Sequence, residues 1–95
     1  MRGAADYAVV YDVSCDRERA RVDRLLKGYG FRIQKSVFEC RLTRGQRDEL
    51  IRRLEALGLR TGFVKVYRLE HCSPRPVVGR PPGAGAPDDG SAFVV

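Results

Sequence analysis

The run Tyr7-Ala-Val-Val-Tyr-Asp-Val13 sets the architecture of this 95-residue chain. Its β-branched and aromatic residues are apolar on both faces, which is typical of a central strand covered on both sides. The run carries one acidic residue, Asp12, near its end, and an arginine-rich stretch, Asp16-Arg-Glu-Arg-Ala-Arg21, follows. A carboxylate at the mouth of a buried strand and facing positive charge can hold a metal ion against a phosphate. Asp12 is therefore the first candidate functional residue.

Helical periodicity follows this strand and recurs later in the chain. From Asp16 to Tyr29 the apolar residues recur at i, i+3, i+4 and i+7, which predicts an amphipathic helix capped by Ser14 or Asp16. Its apolar positions are Val22, Leu25, Leu26 and Tyr29. A capping box of Thr43 and Gln46 opens a second helix, with its apolar face at Leu50, Ile51, Leu54 and Leu57 and its end at Gly58.

Three more strands complete the predicted fold. They are Phe31-Arg-Ile-Gln34, Val37-Phe-Glu-Cys-Arg-Leu42 and Gly62-Phe-Val-Lys-Val-Tyr-Arg-Leu69, with a weak turn signal at Lys35-Ser36. The order β-α-β-β-α-β predicts an α+β, ferredoxin-like sandwich with two helices on one face of a four-stranded antiparallel sheet. The first strand is apolar on both faces, so one apolar set points to the helix-free side. A sheet-to-sheet homodimer is the simplest way to cover it.

The composition changes beyond Cys72. Residues 73–91 are rich in Pro and Gly and cannot form a core, so we predict a domain over residues 1–79 and a C-terminal tail over residues 80–95. Two short apolar pieces, Val77-Val78 and Phe93-Val94-Val95, could each add a brief extra strand at a sheet edge.

Charge and cysteine usage narrow the class of protein. The chain has 18 Lys and Arg against 12 Asp and Glu, a net charge of +6, so nucleic acid is the natural partner, although arginine-rich composition can also reflect a GC-rich genome. No run approaches the roughly 18 apolar residues of a membrane span, and no signal-peptide region is evident, so we expect a cytoplasmic location. Cys15, Cys40 and Cys72 form no C-x-x-C pair and are interpreted as free thiols, with Cys40 in the core. His71 beside Cys72 has no second pair to complete a zinc site.

The predicted topology collects the candidate chemistry at one edge. Because the first two strands run parallel with the third between them, Asp12 should lie near the turn of residues 34–36, and the loop of residues 14–19 leaves from the same edge. The N-terminal amides of the first helix add positive potential there. This constellation suits phosphodiester cleavage by a carboxylate-bound divalent metal. One carboxylate is too few for a firm Mg²⁺ site, but a dimer that joins two Asp12 side chains would supply the second.

Five segments together resemble the CRISPR-associated Cas-two family (Cas2). They are Tyr11-Asp-Val-Ser, Asp16-Arg-Glu-Arg, Leu25-Leu-Lys-Gly-Tyr-Gly30, Arg32-Ile-Gln-Lys-Ser-Val-Phe-Glu-Cys40 and Val64-Lys-Val-Tyr67. The resemblance covers roughly residues 5 to 79, and its most specific block runs from Gln34 to Cys40. The long Pro/Gly tail and the poorly preserved strand after Cys72 depart from common members.

The resemblance implies a homodimer of ferredoxin-like subunits in which a C-terminal strand, beginning at Val77-Val78, packs on the partner's sheet. It implies that Asp12 is the metal-binding and catalytic residue, and that the two copies meet at the dimer interface. It also implies a Mg²⁺-dependent endonuclease for single-stranded RNA or double-stranded DNA, with a role in antiviral defense. Family members further act as a scaffold that bridges two dimers of the Cas-one integrase during spacer acquisition.

Around Asp12 we assign Arg17, Arg19, Arg32 and Ser36 as candidate nucleic-acid contacts, and Tyr11 and Phe38 as candidate pocket residues. Simpler interpretations stay open for each. Asp12 could be a structural cap for the first helix, the arginines a solvated helix face, and Ser36 a turn residue. Packing explains Tyr11 and Phe38 equally well. Two functions remain, a metal-dependent endonuclease and a non-catalytic scaffold that binds duplex DNA and the integrase. A small-molecule regulatory domain is less favoured, because this edge offers no apolar pocket.

Overall fold

The computed structural model describes residues 3–70 and 75–80. They form a small α+β protein whose elements occur in the predicted order. These are β1 (Ala5–Val13), α1 (Asp16–Lys27), β2 (Gly30–Gln34), β3 (Val37–Leu42), α2 (Arg44–Ala56) and β4 (Gly62–Arg68). The first helix ends two residues before the predicted Tyr29, because the N–H groups of Gly28 and Tyr29 bond back to the carbonyls of Leu25 and Leu26 as a turn.

The four strands form one antiparallel sheet in the order β2-β3-β1-β4. Strand β1 is central, since Val9 faces Phe38 of β3 on one side and Val66 of β4 on the other. Strands β1 and β2 therefore run parallel with β3 between them, as the sequence predicted.

The core lies between the two helices and one face of the sheet. Buried residues alternate along β1 and β3 and join the apolar stripes of both helices, as expected for a half-covered sheet. They include Tyr7, Val9, Tyr11, Val13, Val22, Leu26, Phe38, Cys40, Leu42, Leu50 and Leu54. Cys40 is in the core as predicted, and burial, with a smaller effect of Glu39, raises the pKa of its thiol to about 11.

The two helices begin differently. In α2 the predicted capping box is confirmed, because the Thr43 N–H donates to Oε1 of Gln46 at 2.9 Å and the Gln46 N–H donates to Oγ1 of Thr43 at 3.2 Å. Gly58 follows α2 with a φ of 62°, a left-handed conformation that glycine adopts without strain. The predicted cap of α1 is wrong: its N-cap is Cys15, which makes no side-chain cap bond. Ser14 cannot serve because its hydroxyl donates instead to the carbonyl of Thr61.

The other face of the sheet carries no helix, and we call it the open face. Its rows follow from the strand register, in which Phe31 faces Glu39, Glu39 faces Ala8, and Ala8 faces Tyr67. Three aromatic residues remain about half exposed on it: Phe31 at 52%, Phe63 at 51% and Tyr67 at 49%.

The described C-terminal segment, residues 75–80, contains no strand. Arg75 anchors it by an ion pair with Asp6 at 3.2 Å and by a hydrogen bond to the carbonyl of Glu70. The predicted extra strand at Val77-Val78 is therefore absent from this chain's own sheet, and the neighbouring Pro76 has no N–H to give to a strand ladder. His71, Cys72, the Phe93-Val94-Val95 piece and nearly all of the predicted tail lie outside the described residues. Among the residues described, no helix is long and apolar enough to cross a membrane.

Candidate functional site

Asp12 lies near the C-terminal end of β1, opposite Phe63 of β4. Its neighbours Tyr11 and Val13 are buried beneath the helices, so the alternation of the strand places the exposed Asp12 on the open face. Its carboxylate has no hydrogen bond or ion pair with the described part of the chain. Asp12 therefore does not cap α1, and the structural alternative considered for it fails.

The turn between β2 and β3 lies beside Asp12, as the topology requires. The N–H of Tyr11 donates to the carbonyl of Ser36 at 3.0 Å, and the Tyr11 hydroxyl donates to the carbonyl of Lys35 at 3.1 Å. Ser36 thus meets β1 through its backbone. Its half-buried side chain makes no hydrogen bond within the described residues, so the hydroxyl is available to a ligand at this edge.

Tyr11 and Phe38 belong to the core rather than to a pocket beside Asp12. Their exposures are 4% and 0%, and their ring centroids lie 6.5 Å apart on the helix-covered face. Burial, followed by the nearby negative charge of Asp23, raises the pKa of the Tyr11 phenol. The predicted pocket is corrected for a simple reason: adjacent residues of a strand point to opposite faces.

The arginines after β1 differ in what they contact. Arg19 folds back over the loop, where Nη1 donates to the carbonyls of Val13 at 3.0 Å and Ser14 at 2.9 Å, and Nη2 pairs with Asp16. Its side chain is 45% exposed, so part of the guanidinium still faces solvent. Arg17 is exposed and has no ion pair within the described residues. Among the three candidate arginines, Arg17 is thus the one whose donors make no contact within the described residues.

Arg32 lies opposite Phe38 on the outer strand β2, on the helix-covered side of the sheet, so it is not on the open face that carries Asp12. It pairs with Asp23 of α1, and its guanidinium carbon lies 5.7 Å from the centre of the Phe38 ring. The side chain is still 41% exposed. Because Asp23 also pairs with Lys27 at 3.2 Å, the local charge is partly compensated within the chain.

The buried carboxylate of Glu18 was not predicted from the sequence. Glu18 is 6% exposed and accepts three hydrogen bonds, from Oγ1 of Thr61 at 2.6 Å, from the Thr61 N–H at 3.1 Å and from the Arg60 N–H at 3.0 Å. The Thr61 hydroxyl bond, assisted by the two backbone donors, lowers the pKa of Glu18 below its ordinary value. The available signal was its position four residues before Val22, on the apolar stripe of α1. A charged residue there must find partners when buried.

Asp12 lies exposed on the open face and lines neither of the two main depressions found in the described part of the chain. Two depressions of about 840 Å³ and 1150 Å³ are lined by other parts of the chain, and Asp12 lies outside both. The first lies between α1 and α2, and the second lies at the opposite end of β1, near Ala5 and the start of α2. An exposed carboxylate on a flat face suits a macromolecular substrate better than a small molecule.

The residues of a single chain fit Mg²⁺ only in part. Mg²⁺ prefers oxygen ligands, and the Asp12 carboxylate offers one that no other described residue occupies. Within residues 3–70 and 75–80, however, no three His, Cys, Asp or Glu residues cluster into a metal site. A metal at Asp12 therefore needs oxygen ligands from a second copy, from substrate or from water.

Comparison with known proteins gives a consistent result. The family model for CRISPR associated protein Cas2 matches residues 6–73. A protein named CRISPR-associated endoribonuclease Cas2 from Mycobacterium tuberculosis is 36% identical over 61 residues, which are 64% of this chain and 54% of that protein. A protein of the same name from Thermus thermophilus is 57% identical over 49 residues, 52% of each chain. These matches span only about half the length of either relative.

Solved structures agree with this fold. A crystal structure described as a hypothetical protein from Thermus thermophilus matches with a TM-score of 0.76 and 36% identity, and covers 84% of this chain and 96% of that one. The crystal structure of Streptococcus pyogenes Cas2 at pH 6.5 matches with a TM-score of 0.64 and 28% identity over 70% of this chain and 88% of that one. The resemblance carried by the five sequence segments is thereby confirmed.

Proposed function

The chain belongs to the CRISPR-associated protein Cas2 family, and from that premise we propose that it is a Mg²⁺-dependent endonuclease that takes part in spacer acquisition and antiviral defense. Its substrate is single-stranded RNA or double-stranded DNA, and its chemistry is phosphodiester hydrolysis. One observation carries the proposal: the exposed Asp12 carboxylate, without a partner among residues 3–70 and 75–80, at an edge shared with basic side chains. The names of the relatives, CRISPR-associated endoribonucleases, support the same activity.

The active form is a sheet-to-sheet homodimer of ferredoxin-like subunits. The open face exposes three aromatic side chains at about half of their surface, and exposed apolar surface on one face is typical of a protein interaction site. Asp12 faces Phe63 across the β1–β4 pair, so it lies within the surface that a second copy would cover. A two-fold axis through this surface brings two Asp12 carboxylates to one interface.

The candidate residues near Asp12 have separate roles in the proposed reaction. The two Asp12 carboxylates would hold Mg²⁺, and a bound ion would offset charge on the phosphate and activate water. Arg17 binds the backbone phosphate with its guanidinium, and Arg19 and Ser36 contribute the donors that their internal contacts leave available. Arg32 takes no part in this role, because it lies on the helix-covered side of the sheet. The net charge of +6 favours the approach of any nucleic acid.

Replacement of Asp12 tests the proposal directly. We expect Asp12→Asn to lower Mg²⁺-dependent cleavage of RNA or duplex DNA by at least about a hundredfold, because loss of a metal ligand removes several kcal/mol of stabilisation. The matched control is Asp48→Asn, which neutralises a half-exposed aspartate on α2, away from the open face. Initial rates with labelled RNA and duplex substrates, over a range of pH and Mg²⁺, provide the measurement. Equal rates for wild type and Asp12→Asn, or no cleavage by the wild type, would refute it.

A second function, a non-catalytic dimeric scaffold for duplex DNA and the Cas-one integrase, draws on a different observation. One subunit supplies a single carboxylate where metal chemistry normally needs more ligands, whereas Arg17 is already free to bind a phosphate. The scaffold predicts that Asp12→Asn keeps duplex affinity. It also predicts that Arg17→Ala weakens binding and reduces the slope of log affinity against log salt by about one. Arg52→Ala on α2 is the matched control, and undetectable duplex binding at low salt would rule the scaffold out.

A further inference from the structure

Thr61, the residue before β4, joins the two loops that flank the end of β1. Its N–H and its hydroxyl both donate to Oε1 of Glu18, at 3.1 and 2.6 Å. Its hydroxyl oxygen accepts the N–H of Cys15 at 3.1 Å. Its carbonyl accepts the N–H of Ser14 at 3.2 Å and the Ser14 hydroxyl at 3.3 Å. Every polar atom of Thr61 is therefore hydrogen-bonded to residues 14–18, the segment that follows Asp12.

These bonds resemble a capping box in which the Thr61 hydroxyl lies between the N-cap residue and the third helical position. In an ordinary capping box, the side chain at the third helical position accepts directly from the N–H of the N-cap residue. In α1 the N-cap is Cys15 and the third position is Glu18, but the Cys15 N–H reaches Glu18 through the Thr61 hydroxyl. The start of α1 is thus stabilised by a residue 46 positions away rather than by its own loop.

The next residue, Gly62, extends the constraint to Asp12 itself. It pairs with Val13 in the β1–β4 ladder, and a Cβ atom at Gly62 would lie only 1.8 Å from the backbone oxygen of Asp12. The backbone of Asp12 is thus in close contact with β4 on one side. Ser14, two residues later, is bonded to Thr61. Any shift of Thr61 must therefore move the peptide that carries the Asp12 carboxylate.

We propose that Thr61, through Glu18, is a positioning residue that holds the Asp12 carboxylate and the Arg17 guanidinium in the relative placement that a phosphodiester needs. The proposal rests on the function proposed above for Asp12. Glu18 does not touch substrate, because it is buried and both of its carboxylate oxygens are occupied, and the polar atoms of Thr61 are hydrogen-bonded to residues 14–18. Their effect is transmitted through the loop of residues 14–17.

The test compares substitutions at Thr61 with a matched substitution at Thr43. Thr61→Val removes the hydroxyl and keeps the shape of the side chain, and Thr61→Ser restores the hydroxyl. Thr43→Val is the matched control, because Thr43 caps α2 at the opposite end of the sheet. Cleavage kinetics and urea unfolding are measured for each variant. The amide and carboxyl ¹³C resonances of Asp12 are recorded without metal or nucleic acid.

We expect Thr61→Val to lower kcat about tenfold or more with KM nearly unchanged, because small displacements of a catalytic group are costly. Its Asp12 resonances should shift and broaden, Thr61→Ser should recover both, and Thr43→Val should change stability alone. Equal loss of kcat in the two valine variants at the same folded fraction would overturn the proposal. If the wild type cleaves nothing, the nuclease proposal fails, and the Asp12 resonances alone test the positioning role of Thr61. Unchanged Asp12 signals in Thr61→Val then overturn that role, and selective shifts support it.

Discussion

Truncation of Phe63 should dissociate the proposed dimer. Phe63 is 51% exposed in the single chain and lies beside Asp12 on the open face. A phenylalanine can bury roughly 200 Å², so about 100 Å² per copy remains for the partner to cover. At about 25 cal/mol per Å², this surface contributes about 2.5 kcal/mol per copy and about 5 kcal/mol per dimer. Phe63→Ala should therefore raise the dimer Kd by more than about a thousandfold.

Sedimentation velocity over a range of protein concentrations measures this Kd, and circular dichroism checks that the subunit stays folded. Phe63→Leu is the matched control, because it keeps most of the apolar area and should change the Kd by less than about tenfold. Cleavage should fall with Phe63→Ala and recover as protein concentration rises, since the proposed metal site needs two Asp12 carboxylates from two subunits. A wild type that stays monomeric, or a dimer of equal affinity in Phe63→Ala, would refute this account of the open face.

Three further predictions concern the Glu18 network, the two described cysteines and the close contact between β1 and β4. The lowered pKa of Glu18 means that its network contributes stability above the ordinary value of 4.5 and loses it as the pH falls through the lower folded-state value. The Tm difference between wild type and Glu18→Gln should therefore shrink below pH 4.5, and a constant difference would contradict this. Iodoacetamide at mildly alkaline pH should label Cys15 before Cys40, whose pKa is raised to about 11, as peptide mass spectrometry can check. Gly62→Ala should cost about 1 to 3 kcal/mol in urea unfolding, because its Cβ meets a backbone oxygen at 1.8 Å. Gly45→Ala in α2 has open space and should be neutral or stabilising by up to about 1 kcal/mol.

Much of the fold could be predicted because its signals are local. Period-two alternation identified β3 with the bounds that the structure shows, and the Thr43 and Gln46 pair correctly opened α2. The start of α1 could not be predicted in the same way. Its cap comes from Thr61, and a contact across 46 positions leaves no trace in the residues around Cys15.

The same distinction holds for the candidate site: some of its features follow from the order of the elements, and others depend on tertiary contacts. The position of Asp12 near the end of a central strand, and its proximity to Ser36, followed from the order of the elements, because topology alone makes these segments neighbours. The sequence did not show which of Arg17 and Arg19 keeps its guanidinium clear of contacts within the chain. Both are arginines in the first turn of α1, yet only the structure shows Arg19 folded onto the carbonyls of the preceding loop.

The order of apolar and polar residues was thus sufficient for the strands, the helices and the edge that carries Asp12, since each depends on periodicity over a few neighbouring positions. The tertiary structure alone assigned Tyr11 and Phe38 to the core, left the Asp12 carboxylate without a partner in the described part of the chain, and linked Glu18 through Thr61 to the Asp12 loop. The physical reason is that a side chain's surroundings depend on which distant segments pack against it. Hydrogen bonds and burial are set by those segments, and no local pattern records them.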